Sequence, residues 1–102
     1  MLGFSAGGHL AAALSTGFDA RTYEPLDDVD KTSSRPDFTI LIYPAYLTLK
    51  DGGDVLAPEI KVTAQTPPTF LAMAQDDPVH VESAYAYSLA LKNAKVPCEL
   101  HL

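Results

Sequence analysis

The chain has little cysteine, little positive charge and no long apolar run. Its 102 residues hold one cysteine, Cys98, which excludes an internal disulfide and is too few for a structural zinc site. A lone cysteine beside an apolar stretch reads as a small core residue. Lysine and arginine number 7 against 13 aspartates and glutamates, a net charge of −6. There is no basic cluster and no interleaving of basic and aromatic residues. Both facts argue against nucleic acid and anionic membrane surfaces as partners. No run approaches the roughly 18 apolar residues that span a membrane. Met1-Leu2-Gly3 has no charged n-region, so no signal peptide is read here. Internal repeats and low-complexity tracts are also missing.

What is present is a globular composition, 47% apolar, at the small end of one domain. The most informative segment is Gly3-Phe4-Ser5-Ala6-Gly7, a G-x-S-x-G motif. It leads into His9-Leu10-Ala11-Ala12-Ala13-Leu14, a strong helix former. A serine between a strand and a helix in this setting is a candidate nucleophile on a sharp turn. The flanking glycines fit such a turn, because strained backbone and close neighbouring strands leave no room for side chains. The following helix points its N-terminal N–H groups toward Ser5, and the Ala6 N–H is placed to stabilise an oxyanion. Gly17 is placed to close the helix as a C-cap.

Along the rest of the chain, residues 18–37 read as a polar loop with Pro25, Pro36 and the acidic stretch Asp27-Asp28-Val29-Asp30. Phe38-Thr39-Ile40-Leu41-Ile42-Tyr43 is continuously apolar and predicts a strand buried on both faces, as in a parallel sheet. Residues 45–68 are irregular, with Asp51-Gly52-Gly53-Asp54 as a turn. Thr69-Phe70-Leu71-Ala72-Met73-Ala74 predicts a second buried strand. From Val81 to about Ala94 the pattern turns helical, with Val81, Ala84, Tyr85, Ser88 and Leu91 on one face. A further strand begins at Cys98. The order helix, strand, strand, helix, strand points to a parallel α/β sheet. Only Leu2 is left to supply the strand before Ser5, and the chain stops in mid-strand. It is therefore expected to be a piece of a larger protein, loosely folded or aggregation-prone alone.

In such sheets functional groups gather beyond the carboxyl ends of the strands. Asp76 and Asp77 lie just past the second strand, where a carboxylate can orient a histidine. Asp76-Asp77-Pro78 also suits a turn and a helix N-cap region.

Two stretches, Gly3 to Ala12 and Phe70 to Ser83, together with the run from Leu89 to Leu102, resemble the α/β-hydrolase fold. More narrowly they resemble the bacterial esterase/lipase group of acetyl esterases, acetylxylan esterases and feruloyl-esterase-like enzymes. The resemblance implies a three-layer α/β/α fold, of which residues 1–102 would be the C-terminal part of one domain. It implies hydrolysis of carboxylic esters, acetyl or other short-acyl esters and carbohydrate esters among them. Ser5 would be the nucleophile and Asp76 the triad acid, matching a D-x-x-V-P pattern with Val79 in place. His80 stands where that pattern has proline, so Asp77 becomes the acid if the register shifts by one. His9 matches a packing histidine, His80 reads as a surface or capping residue, and His101 lies within the last strand. The catalytic histidine of the group follows that strand, beyond Leu102, and the second oxyanion donor lies upstream. The resemblance implies no cofactor and no metal. Many members are exported, which implies a secreted or periplasmic parent with its signal peptide upstream. Two other functions are compatible with this pattern: a prolyl-oligopeptidase-type peptidase, and a non-catalytic homologue that binds a partner or small ligand.

Overall fold

A computed structural model describes residues 1–50, 53, 55–78 and 81–102. Four strands form one parallel sheet in the order β1 (Leu2–Phe4), β2 (Thr39–Ile42), β3 (Thr69–Ala72), β4 (Cys98–His101). Helix α1 (Ala6–Gly17) connects β1 to β2, and α2 (Val81–Asn93) connects β3 to β4. Parallel strands require such crossovers, because a tight turn only reverses the chain. Gly3 pairs with Leu41, Leu41 with Leu71, and Leu71 with Leu100.

The alternation along β2 and β3 decides where the core sits. Thr39, Leu41, Thr69 and Leu71 are buried, whereas Ile40, Ile42, Phe70 and Ala72 are only half-buried. Both helices pack on the Leu41–Leu71 face. Ser15 of α1 bonds Thr39 there, 2.6 Å between hydroxyl oxygens. The Ser15 hydroxyl already donates to the Ala11 carbonyl at 2.7 Å, which leaves Thr39 as the donor. Ala11, Ala12, Leu41, Leu71, Tyr87 and Leu91 form one buried cluster on this side. The expected burial on both faces is thus realised on one. Among the described residues the opposite face, with Leu2, Phe4, Ile40 and Phe70, carries no helix. The implied three layers are present here as two.

Three local expectations are corrected. A strand does precede Ser5: Leu2–Phe4 pairs in register with Ile40–Ile42. Three residues suffice because the neighbouring strand supplies the hydrogen bonds. Gly17 is the last helical residue, with Phe18 after it in ordinary right-handed geometry, so no left-handed glycine cap forms. On α2 the buried tyrosine is Tyr87, with Tyr85 exposed. Two tyrosines two positions apart are equally apolar, so periodicity could not choose between them. Ala84, Tyr87 and Leu91 make the inward stripe at spacings of three and four. The α2 terminus uses a non-glycine cap instead: Lys95 is left-handed at φ 62°, and the Val96 N–H reaches back to the Leu91 carbonyl at 2.9 Å.

The 18–37 loop is irregular as expected, apart from one 3₁₀ turn at Asp28–Lys31, whose N-terminal N–H groups are accepted by the Asp27 carboxylate. Of the expected Asp51-to-Asp54 turn, only Gly53 falls among the described residues, at φ 57°. Cys98 is half-buried opposite Thr69, and burial pushes its thiol ionisation up, which suits a packing role.

Candidate active site

Ser5 sits between β1 and α1 with φ 52° and ψ −121°. L residues rarely occupy this region, and such a residue costs on the order of 1–3 kcal/mol, tolerated only where the surroundings over-determine it. Here they do. The Ser5 N–H donates to the Ile42 carbonyl at 3.1 Å. The Ser5 carbonyl accepts from the N–H groups of Gly8 (2.9 Å), His9 (3.3 Å) and Ala45 (3.0 Å).

The strain has a chemical consequence. A serine at a helix N-cap usually spends its hydroxyl on a first-turn N–H. Ser5 makes no such bond. It is exposed, and among the described residues the Ala6 N–H has no backbone acceptor either. A hydroxyl and an N–H donor at the positive end of a helix are thus left together at the surface.

The glycines of the motif are not equivalent. A Cβ on Gly3 would lie 2.3 Å from the Gly7 carbonyl oxygen, and one on Gly8 would lie 2.8 Å from the Pro44 Cα. Both are backbone collisions. A Cβ on Gly7 would meet nothing within 4 Å. The expected crowding beside Ser5 therefore falls on Gly3 and Gly8, and Gly7 is sterically free.

Asp76 and Asp77 follow β3 at the same sheet edge as Ser5. The Asp77 N–H closes a turn to the Ala74 carbonyl at 3.2 Å. Asp76 is exposed and Asp77 half-buried. Ser5 follows β1 and the pair follows β3, two strands whose axes lie about 10 Å apart. One imidazole and two side chains can bridge such a gap. Val79 and His80 of the D-x-x-V-P match lie outside the described residues.

The other histidines are engaged elsewhere. His9 Nε2 lies 2.9 Å from Glu59 Oε1, and this hydrogen bond holds the Glu59 carboxyl below the usual carboxylate range. His101 stacks on Phe70 with ring centroids 4.8 Å apart and bonds Glu99 at 3.2 Å. Neither is bonded to Ser5. Among the described residues no three metal-ligating side chains converge, and no helix is long and apolar enough to cross a membrane. A groove of about 890 Å³ runs between α1 and the 18–34 loop, and neither Ser5 nor the aspartates line it.

A short parallel sheet, a strained serine between strand and helix, and aspartates beyond the next strand but one define the class: this is part of an α/β-hydrolase fold. Known structures agree. An acetyl ester-xyloside bifunctional hydrolase from Caldicellulosiruptor lactoaceticus is 35% identical, with a TM-score of 0.77 over 98% of this chain and 43% of its own. Thermogutta terrifontis esterase 2, phosphonylated by cyclosarin, is 27% identical, with a TM-score of 0.71 over 97% of this chain and 40% of its own. In sequence, endo-1,4-beta-xylanase B of Butyrivibrio fibrisolvens is 30% identical over 115 residues, 95% of this chain and 18% of that protein. The chain thus spans less than half the length of each of these proteins. No family model matches it.

Proposed function

We propose that this chain carries the nucleophile and acid of a serine esterase acting on short-acyl esters, acetylated sugars among them. The observation that carries this reading is the Ser5 backbone, φ 52° and ψ −121°, which withholds the hydroxyl from capping and exposes it beside the Ala6 N–H. The fold and the esterases similar to it support the reaction class, and the similar acetyl ester-xyloside hydrolase supports the acyl size and the sugar.

In this mechanism Ser5 Oγ attacks the ester carbonyl carbon while a histidine removes its proton. The tetrahedral oxyanion is held by the Ala6 N–H and a second donor. The alcohol leaves with the proton from that histidine, and water then releases the acid by the reverse sequence. The acid that orients the histidine comes from the Asp76–Asp77 pair. Asp76 stands in the sequence match, whereas burial favours Asp77, since an orienting carboxylate works best shielded from water. We place the histidine and the second oxyanion donor outside residues 1–102, in the remainder of one hydrolase domain. Similar hydrolases more than twice as long as the chain support that placement.

The experiment is active-site labelling of the full-length protein with a fluorophosphonate, together with hydrolysis of 4-nitrophenyl acetate. The label is expected on Ser5, with both labelling and turnover lost in Ser5→Ala. Labelling elsewhere, or turnover that survives Ser5→Ala, overturns the reading.

A further inference from the structure

The first turn of α1 lacks the usual supports of a helix start. Ser5 makes no side-chain cap, and the turn holds no acidic residue. Gly7 and Gly8 fall within it, and glycine is a poor helix former. Yet this turn carries the Ala6 N–H and directly follows the strained Ser5, so fraying would displace both groups. Support has to come from elsewhere in the chain.

Two segments supply it, and their bonds close a circuit. The Ser5 carbonyl accepts from the Ala45 N–H at 3.0 Å. Two residues on, the Leu47 carbonyl accepts from the Ala57 N–H at 2.8 Å. Residues 57–60 then form a tight turn, with the Ile60 N–H on the Ala57 carbonyl at 2.9 Å and both Ala57 and Ile60 buried. That turn holds out Glu59, whose Oε1 lies 2.9 Å from His9 Nε2. A carboxylate only accepts, so His9 Nε2 carries the hydrogen. The His9 N–H returns to the Ser5 carbonyl at 3.3 Å. The circuit therefore begins and ends on one atom, the carbonyl oxygen of the candidate nucleophile. Of these links, His9–Glu59 is the one made by side chains, and it joins residues 50 positions apart. Substitution there opens the circuit without removing a backbone bond.

We propose that His9 and Glu59 are positioning residues for Ser5: their bond ties the first turn of α1 to the 57–60 turn and so fixes the Ser5 backbone and the Ala6 N–H. This rests on Ser5 being the nucleophile. Neither side chain touches the ester or moves a proton in the reaction. The tether works by reach and hydrogen bonding, not by charge.

The test uses the full-length protein and 4-nitrophenyl acetate. His9→Ala and Glu59→Ala open the link. A 1 Å displacement of a reacting group costs about 10²-fold in rate, so partial loosening should lower kcat about three- to tenfold, with KM within about twofold of wild type. The double alanine variant should be no slower than the slower single variant, because both remove one link. Two further variants separate reach from charge. Glu59→Gln keeps the length and an acceptor oxygen, and should keep kcat within about twofold. Glu59→Asp keeps the charge on a shorter side chain, and should lose as much as Glu59→Ala. Ser15→Ala loosens α1 at its far end and controls for stability alone; well below its melting midpoint it should keep the wild-type kcat. Alanine variants with wild-type kcat, a raised KM at unchanged kcat, additive losses in the double variant, or Glu59→Asp faster than Glu59→Gln each overturn the inference. An equal kcat loss in Ser15→Ala does the same. Should an alanine variant fail to fold, the comparison of Glu59→Gln with Glu59→Asp decides. If Ser5→Ala still turns over the ester, the nucleophile assignment fails. If Ser5→Ala is inert while the His9 and Glu59 variants match wild type, the tether alone fails.

Discussion

Alanine at Gly3 should unseat the elbow, whereas the same change at Gly7 should strengthen it, although both belong to one motif. An added Cβ at Gly3 would lie 2.3 Å from the Gly7 carbonyl oxygen, 2.7 Å from its carbon and 2.9 Å from the Ala11 Cβ. Ordinary contact begins at 3.4 Å, so α1 must retreat by 3.4 − 2.3 = 1.1 Å. The colliding atoms are mainly backbone and cannot rotate away. Overpacking of this kind costs about 1–3 kcal/mol, here at the upper end. The retreat also stretches the 2.6 Å Ser15–Thr39 bond, worth about 1 kcal/mol more. At Gly7 there is no collision and φ is not positive, so alanine stabilises the helix by about 0.5–1 kcal/mol. The two variants should differ by about 4.5–5 kcal/mol. In urea unfolding of the full-length protein, followed by circular dichroism, that separates their midpoints by more than about 1 M. A 1 Å displacement of a reacting group can cost about 10²-fold in rate, so Gly3→Ala should also label far more slowly with fluorophosphonate. A Gly3→Ala variant with wild-type midpoint and labelling, or a Gly7→Ala variant as damaged as Gly3→Ala, would refute the reasoning.

Three further outcomes are expected. Asp77→Asn should lower kcat by about three to four orders of magnitude with Asp76→Asn losing less than tenfold, and the opposite order would return the acid to Asp76. Glu59 has a depressed folded pKa, so the His9 bond stabilises the protein above the ordinary carboxylate value of 4.5 and that contribution is lost as pH falls through the folded value. The stability difference between wild type and Glu59→Gln, from urea titrations, should therefore be flat from pH 5.5 to about 6 and vanish in acid; a difference that grows on acidification contradicts this. Ser15→Ala should cost about 1–2 kcal/mol by leaving the buried Thr39 hydroxyl unpaired, with Thr39→Val in the same chain recovering most of it in a double-mutant cycle.

Much of this architecture was legible in the residue order. Continuous apolarity at 38–43 and 69–74 marked β2 and β3, and the alanine-rich run after Ser5 marked α1, because local propensity and burial agree there. The G-x-S-x-G spacing marked Ser5 for the same reason: few other settings place a serine between a strand and a helix with small neighbours. What the pattern missed has a common cause. β1 is three residues long and exists because β2 pairs with it. The inward stripe of α2 depends on which tyrosine meets β3.

The sequence by itself determined the α/β class, the position of the elbow serine and the acidic pair after β3. These follow from composition and spacing along the chain, which set local backbone preference. Only the tertiary structure decided which motif glycine is indispensable, that both helices share one face, and that the residues after β2, Pro44 and Ala45, brace Ser5. Those outcomes depend on distances between segments some 40 residues apart, fixed when Pro44 meets Gly8 and Ala45 bonds Ser5.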